Sequence, residues 1–271
     1  MQRVAIVGNL GLDVVSGAPE RPGGAVWYCG HALARLGPEL DVRLVCRCAE
    51  ADAPAILPEL EALGFPVAWR AAEQTIRFSF HYEGDRRVMS IDALADPWTP
   101  ADVTEWVGAA VTGADWVLVG ALNRGDFPLE TLAALARDGH RLILDAQGLV
   151  RRAQTGPLTV DGDLDHAIFD HITALKLNDE EAIELCGSTE TAALLGLGVP
   201  EVILTLGSQG ADIVYAGQTT HVPAVPVDGP VDPTGAGDMF LTAYTVARLR
   251  GDDPGAAGLA AAGFVSTIIA R

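Results

Sequence analysis

Asp232-Pro233-Thr234-Gly235-Ala236-Gly237-Asp238 is the segment of this chain best equipped for chemistry. Pro233 and two glycines bar regular structure, and the residues from Asp238 onward have helical spacing. A glycine-rich loop running into a helix N-terminus presents free backbone N–H groups and the positive end of the helix dipole. Such a place stabilises an anion, including the charge on a phosphoryl group in transfer. A carboxylate at the start of that helix can take the proton of an attacking hydroxyl. The same pattern also serves a plain turn in which Asp238 is a helix N-cap. The G-x-x-x-x-G-K-[ST] pattern of a P-loop is absent, and so is the G-x-G-x-x-G spacing of a dinucleotide site. An NAD-dependent dehydrogenase is therefore disfavoured.

The elements that must hold this loop recur along the chain. Residues 3–8 are an apolar run ending in glycine, as in a buried strand, and similar runs recur at 42–46, 116–119, 141–145, 173–177 and 202–206. Helix-like stretches occupy 25–36, 52–63, 101–111, 128–138 and 179–186. Strand alternating with helix predicts an α/β fold with a mostly parallel sheet covered on both faces. Residues 75–82 alternate in the β manner, Glu83-Gly84-Asp85 turn, and 86–91 return. With 11–16 this hairpin is expected to form a small sheet standing off the main one. A second hairpin signal surrounds Ala216-Gly217 within 211–222. There is no internal repeat and no low-complexity linker, so 1–271 reads as one domain with a β insert.

Composition narrows the function classes. Of 271 residues 49% are hydrophobic, ample for a core, and the net charge of -18 repels nucleic acid and anionic lipid. A nucleotide site would need local positive potential from backbone amides, a metal ion and a few arginines. Lys176 is the sole lysine, two residues before Asn178, and no contact is assigned to it, since a surface lysine with its stem laid along the protein is at least as good a reading. Cys46 and Cys48 form a C-x-C pair with no second pair to complete a zinc site, and Cys29 and Cys186 stand apart. Free buried thiols in a reducing compartment are expected. The apolar run at the N-terminus is too short for a signal peptide, and no stretch reaches the roughly 20 apolar residues that span a membrane. The alanine-rich end, 256–270, reads as a buried helix. A cytoplasmic protein is expected.

Five landmarks then fall in one order. They are Gly8-Asn9-Leu10-Gly11-Leu12-Asp13, Gly23-Gly24 with a helix ending at Gly37, Asn178-Asp179-Glu180-Glu181, Leu204-Thr205-Leu206-Gly207 with Gly210, and the 232–238 loop. In this order they resemble the ribokinase-like sugar kinases, the family that includes the B-type phosphofructokinases. The resemblance covers nearly the whole chain. It implies a three-layer sandwich with a mostly parallel central sheet and a small β-sheet lid formed from about 11–20 and 75–91. It implies ATP and Mg²⁺ as cofactors, Asp238 as general base, and the amides of Gly235, Ala236 and Gly237 as the anion hole. Asn178 and Glu181 match the motif that organises Mg²⁺ through water, and they equally suit a helix start. Asn178, Thr205, Gly207, Gly210, Thr234, Gly235 and Gly237 would line the nucleotide. Asp13, Gly24, Tyr28, Gln147 and Asp238 would meet the substrate. The lid often forms a dimer interface in such relatives, so a homodimer is expected as a possibility.

Departures from the family pattern bear on the substrate. The position of a ribokinase asparagine is Tyr28 here, within Ala25-Val26-Trp27-Tyr28-Cys29, which disfavours furanose substrates. Trp27 and Tyr28 imply a pocket with aromatic walls, or else two rings in the core. Asp145-Ala146-Gln147-Gly148-Leu149-Val150-Arg151 resembles the D-x-Q-G/A-x-x-R segment of the myo-inositol kinase branch. Arg151 would orient the lid, reach phosphate, or lie on the surface. The expectation is an ATP-dependent kinase of a small polyol, a cyclitol such as myo-inositol or a sugar. A nucleoside kinase of the same fold and a non-catalytic nucleotide- or sugar-binding protein are the alternatives.

Overall fold

The computed structural model describes residues 2–15, 18–37, 39–83, 86–227 and 235–269. Thr234 and its neighbours 231–233, the expected hairpin turn at 84–85 and part of the first lid segment lie outside the described residues.

Among the described residues the main sheet has nine strands in the order β14-β13-β12-β11-β9-β8-β1-β4-β5. They are β1 (Arg3–Asn9), β4 (Asp41–Ala49), β5 (Val67–Ala72), β8 (Trp116–Gly120), β9 (Arg141–Asp145), β11 (Ala174–Asn178), β12 (Glu201–Thr205), β13 (Ala211–Tyr215) and β14 (Gln218–Val222). Pairing is parallel from β5 through β12, and antiparallel where β13 and β14 finish one edge. The central strands are apolar on both faces because helices cover both. On one side α1 (Ala25–Leu36), α2 (Ala53–Glu61), α9 (Ala236–Arg250) and α10 (Pro254–Ile269) bury Leu33, Ile56, Tyr244 and Ala257 over Ile6 and Leu44. On the other, α5 (Leu129–Ala136), α7 (Asp179–Cys186) and α8 (Thr191–Gly196) bury Leu132, Leu185 and Leu194 over Val7 and Leu175. The chain is therefore a three-layer α/β sandwich. None of its helices is long and apolar enough to cross a membrane, among the described residues.

The expected helix at 101–111 is uneven. It opens as α3 (Pro100–Asp102), widens into a π turn over Val103–Val107, and closes as α4 (Gly108–Val111). Thr99 and Asp102 start it with a reciprocal capping box. The wide turn brings the Gly108 N–H onto the Val103 carbonyl, and a side chain at Gly108 would meet that oxygen at 2.9 Å.

A second sheet stands off the first in the order β10-β7-β6-β2-β3. It contains β2 (Gly11–Val15), β6 (Ile76–Glu83) and β7 (Arg86–Ala93), and it also takes β3 (Arg21–Gly23) and the two-residue β10 (Gly156–Pro157). The last two are too short to show periodicity in sequence. The crossings between the sheets are pinned. Trp98 Nε1 donates to Asn9 Oδ1 at 3.0 Å, and the Arg47 guanidinium lies 4.1 Å over the Trp98 ring. Arg47 also donates to the Asp96 carbonyl at 2.7 Å, the Glu73 N–H reaches Asp96 Oδ2 at 2.7 Å, and the Ala49 N–H reaches Thr75 Oγ1 at 2.9 Å. A polar knot of this kind, buried at Asn9 and Trp98 and reaching the surface at Glu73, fixes the root of the lid.

Candidate functional site

The C-terminal ends of the parallel strands open on one side, where ligands bind in open α/β sheets. Asn9, Gly120, Asp145, Asn178 and Thr205 end β1, β8, β9, β11 and β12 there. The short helix α6 (Gln147–Val150) follows β9 at the same edge.

Helix α9 begins at Ala236 with Gly235 as its N-cap, at φ 75°, and among the described residues no side chain caps its first turn. Only glycine adopts that φ without strain, and a Cβ on Gly235 would lie 2.9 Å from Tyr28 Cδ1. Asp238 is the third helical residue. It does not cap the helix, which sets aside the plain N-cap reading of this carboxylate. Its Oδ1 is buried and has no hydrogen-bond partner among the described residues. Burial, with the Asp145 charge beside it, pushes the Asp238 carboxyl up to about 7, while Lys176 and Arg151 pull against that rise.

Lys176 is not a surface lysine. It is 6% exposed, and Nζ donates to Asp145 Oδ2 at 2.7 Å. The second Asp145 oxygen accepts the Gln147 N–H at 3.1 Å. Asp145 is thus a central charge of the site. In sequence it is visible as the first residue of the D-x-Q-G/A-x-x-R segment, with no role of its own assigned.

Asn178 and Glu181 cap α7 reciprocally. Asn178 Oδ1 accepts the Glu181 N–H and Glu181 Oε2 accepts the Asn178 N–H, both at 2.8 Å. Burial and the Asp145 charge hold the Glu181 carboxyl well above the usual range. No group of three or more His, Cys, Asp or Glu side chains is placed to hold a metal ion among the described residues. This donor set fits a hydrated Mg²⁺ that arrives on phosphates, and does not fit a protein-built metal cage.

On the opposite side of the loop Asp13 is buried on β2. The Tyr28 hydroxyl donates to Asp13 Oδ2 at 3.3 Å, and burial with the Asp13 charge pushes that phenol up to about 12. A Cβ on Gly23 would sit 2.8 Å from Asp13 Oδ2, so Gly23 is what lets the chain wrap the carboxylate. Gly24, at φ 89°, would set a Cβ 2.9 Å from the Asn9 carbonyl oxygen. The two aromatics of α1 part company. Trp27 packs on His31 at 4.5 Å and on the core, whereas Tyr28 faces the site. Arg151 lies 5.9 Å from the Phe78 ring of the lid, and its charge is felt by both Asp238 and Glu181.

Thr205, Gly207 and Gly210 line a cleft of about 770 Å³ together with Lys176, Asn178, Ala236 and Gly237. Its far wall is apolar, made by Val225, Pro226, Phe240, Val265 and Ile269. The structure therefore brings Tyr28 to both Asp13 and Gly235, sets Gly24 against Asn9 and Gly11, and lays Asn178, Thr205, Gly207 and Gly210 along the cleft, while Gln147 is placed by its N–H on Asp145.

Residues 74–271 match the family described as pfkB family carbohydrate kinase. Ribokinase of Bacillus subtilis (strain 168) is 27% identical over 273 aligned positions, 93% of this chain and 88% of that protein. Inositol 3-kinase of Oryza sativa subsp. japonica is 30% identical over 210 positions, 75% of this chain and 49% of the plant protein. A pyrophosphate-dependent kinase in the ribokinase family, solved with a pyrophosphate analog and myo-inositol, superposes with a TM-score of 0.83 at 21% identity, over 99% of this chain and 95% of that one. The fold is that of ribokinase, and the family match spans most of the sequence: the chain belongs to the pfkB family of carbohydrate kinases.

Proposed function

We propose that this kinase transfers the γ-phosphoryl group of ATP to a hydroxyl of a small neutral polyol, with myo-inositol as the first candidate. The observation that carries the reading is Asp238 Oδ1, buried and without a hydrogen-bond partner among the described residues, in the first turn of a helix whose N-cap is Gly235. A buried carboxylate oxygen left without a donor is suited to accept a hydroxyl proton.

When bound, Mg²⁺–ATP supplies the phosphoryl group and a metal charge that offsets its oxygens. Asn178 and Glu181 would hold that hydrated ion through water. Asp13 and Gln147 orient the polyol, since an ionised carboxylate accepts from two neighbouring hydroxyls and an amide both donates and accepts. Asp238 takes the proton of the attacking hydroxyl as its oxygen bonds to phosphorus and the bond to the leaving phosphate oxygen breaks. The amides of Gly235, Ala236 and Gly237 stabilise the charge in transit. The lid, with Phe78 near Arg151, excludes water.

The apolar wall of the cleft supports a nucleotide donor. Pyrophosphate has nothing to bury against Val225, Phe240, Val265 and Ile269, whereas a purine ring does. A neutral acceptor is supported by Asp13 and Asp238, which repel a phosphorylated sugar. A nucleoside acceptor fits less well, because one side of the Tyr28 ring is already against Gly235. Coupled assays with ATP or pyrophosphate as donor, across myo-inositol, ribose and nucleosides, test this. ATP-dependent turnover of myo-inositol is expected to exceed that of nucleosides. Turnover of nucleosides alone, or with pyrophosphate alone, refutes the reading.

A further inference from the structure

Lys176 is the single lysine of a chain with a net charge of -18, and the fold places it in the interior. Its ammonium lies directly under the backbone of the anion loop. A Cβ built on Gly237 would meet Lys176 Nζ at 3.0 Å and Cε at 3.3 Å. The lysine also lines the cleft on its polar side, next to Asn178 and Thr205. Its partner Asp145 is equally buried, each side chain being 8% exposed.

A buried ion pair is a poor way to stabilise a fold, because desolvation of both charges offsets their attraction, and apolar residues of like volume often do as well. The surroundings explain why charge is kept here. The carboxylates of Asp13, Asp145, Glu181 and Asp238 act on this site, and the cations that oppose them at Asp238 are Lys176 and Arg151. A polyphosphate entering such a field needs a cation at the point of transfer. An ammonium has three N–H donors, and the bond to Asp145 takes one. Any side chain at position 237 would stand between this ammonium and the loop.

We propose that Lys176 is a catalytic residue that reaches the oxygens of the transferring phosphoryl group from beneath Gly237, and that Asp145 is the positioning residue that aims it. Asp145 also accepts the Gln147 N–H, so one carboxylate ties the cation to the start of α6. This rests on the kinase reading above.

The test compares wild type with Lys176→Met and with the neutral double variant Asp145→Asn/Lys176→Met. Lys176→Met is expected to lower kcat by about 10²-fold or more, the scale of losing one charge-stabilising donor, with the acceptor KM changed less than about threefold. If the two residues were only a structural pair, neutralising both would restore activity. The double variant is instead expected to melt like wild type and stay as slow as the single one. Should the single variant fail to fold, the double variant decides alone. Recovery of the double variant to within about threefold of wild type, or near-normal kcat in the single one, overturns the proposal. Calorimetry separates the two readings. ATP is expected to bind Lys176→Met about tenfold more weakly while adenosine binds unchanged. Equal losses on both ligands, or none on ATP, count against Lys176. A wild type that binds ATP but phosphorylates no acceptor refutes the kinase reading, and the ATP-against-adenosine comparison still judges Lys176.

Discussion

Asp238→Asn lowers kcat by about 10³-fold, within the range for loss of a general base, and makes the folded protein more stable at pH 8. Both effects have one origin, a carboxylate kept in a place that does not suit its charge. Its folded pKa of about 7 lies above the ordinary 3.8. The stability it contributes is therefore fully present below about pH 4 and is lost as pH rises through about 7. The groups that face it are Asp145 of β9, Lys176 of β11, Arg151 beyond α6, Asp13 of β2 and Tyr28 of α1. Asparagine resembles the protonated carboxyl, so variant and wild type should melt together only at or below about pH 4, where the aspartate is protonated folded and unfolded alike. At pH 8 the variant should gain roughly 1–3 kcal/mol, the usual cost of an unsatisfied buried polar group, or about 2–4 °C for each kcal/mol. Wild-type kcat should rise with pH through about 7 as the proton leaves. Thermal melts at both pH values and a kcat profile check this. Wild-type turnover in the variant, or a lower melting temperature at pH 8, would sink it.

Gly24→Ala is expected to raise the acceptor KM or lower kcat by a combined factor of about 10², while the donor KM moves less than about threefold. The added methyl would stand 2.9 Å from the Asn9 carbonyl oxygen and 3.2 Å from the Gly11 N–H nitrogen, and the φ of 89° is itself hostile to alanine. Both neighbours are backbone at the pinned root of the lid, so neither can give way. The start of α1 must move instead, and Tyr28 and Asp13 move with it. The nucleotide cleft shares no residue with this contact. Steady-state kinetics with each substrate varied in turn separates the two sides, and an unchanged acceptor kcat/KM refutes the assignment of Gly24.

Much of this fold is legible in the sequence for a simple reason. The central parallel strands are buried on both faces, so they appear as unbroken apolar runs between helical stretches. The first turn of α7 is legible because Asn178 and Glu181 carry a capping box, and the start of α9 because Gly235 and Gly237 stand directly before a stretch of helical spacing. What is hidden depends on partners far along the chain. Lys176 inside Ala174-Leu175-Lys176-Leu177 looks like a strand residue pointing to water, and its burial is understood only with Asp145, 31 residues away. Trp27 and Tyr28 are adjacent, and a helix turns them to different neighbours, so their types alone leave open a pocket wall or the core for both, and only the spacing of the resemblance singles out Tyr28. Arg47, Trp98 and Asp96 are unremarkable as letters. They become the lid root only when β4 and the chain after β7 meet.

The burial of the only lysine has one more use. A protease that cuts after lysine has a single possible target, the bond after Lys176, which lies mid-strand between β9 and β12. That bond becomes accessible only when the central sheet opens, so local fraying of loops or termini leaves it intact. The rate of this one cut reads the population of globally opened molecules, without a fluorescent label or a denaturant series. A ligand held over β11 should slow the cut in proportion to its occupancy, which makes the protein its own binding reporter.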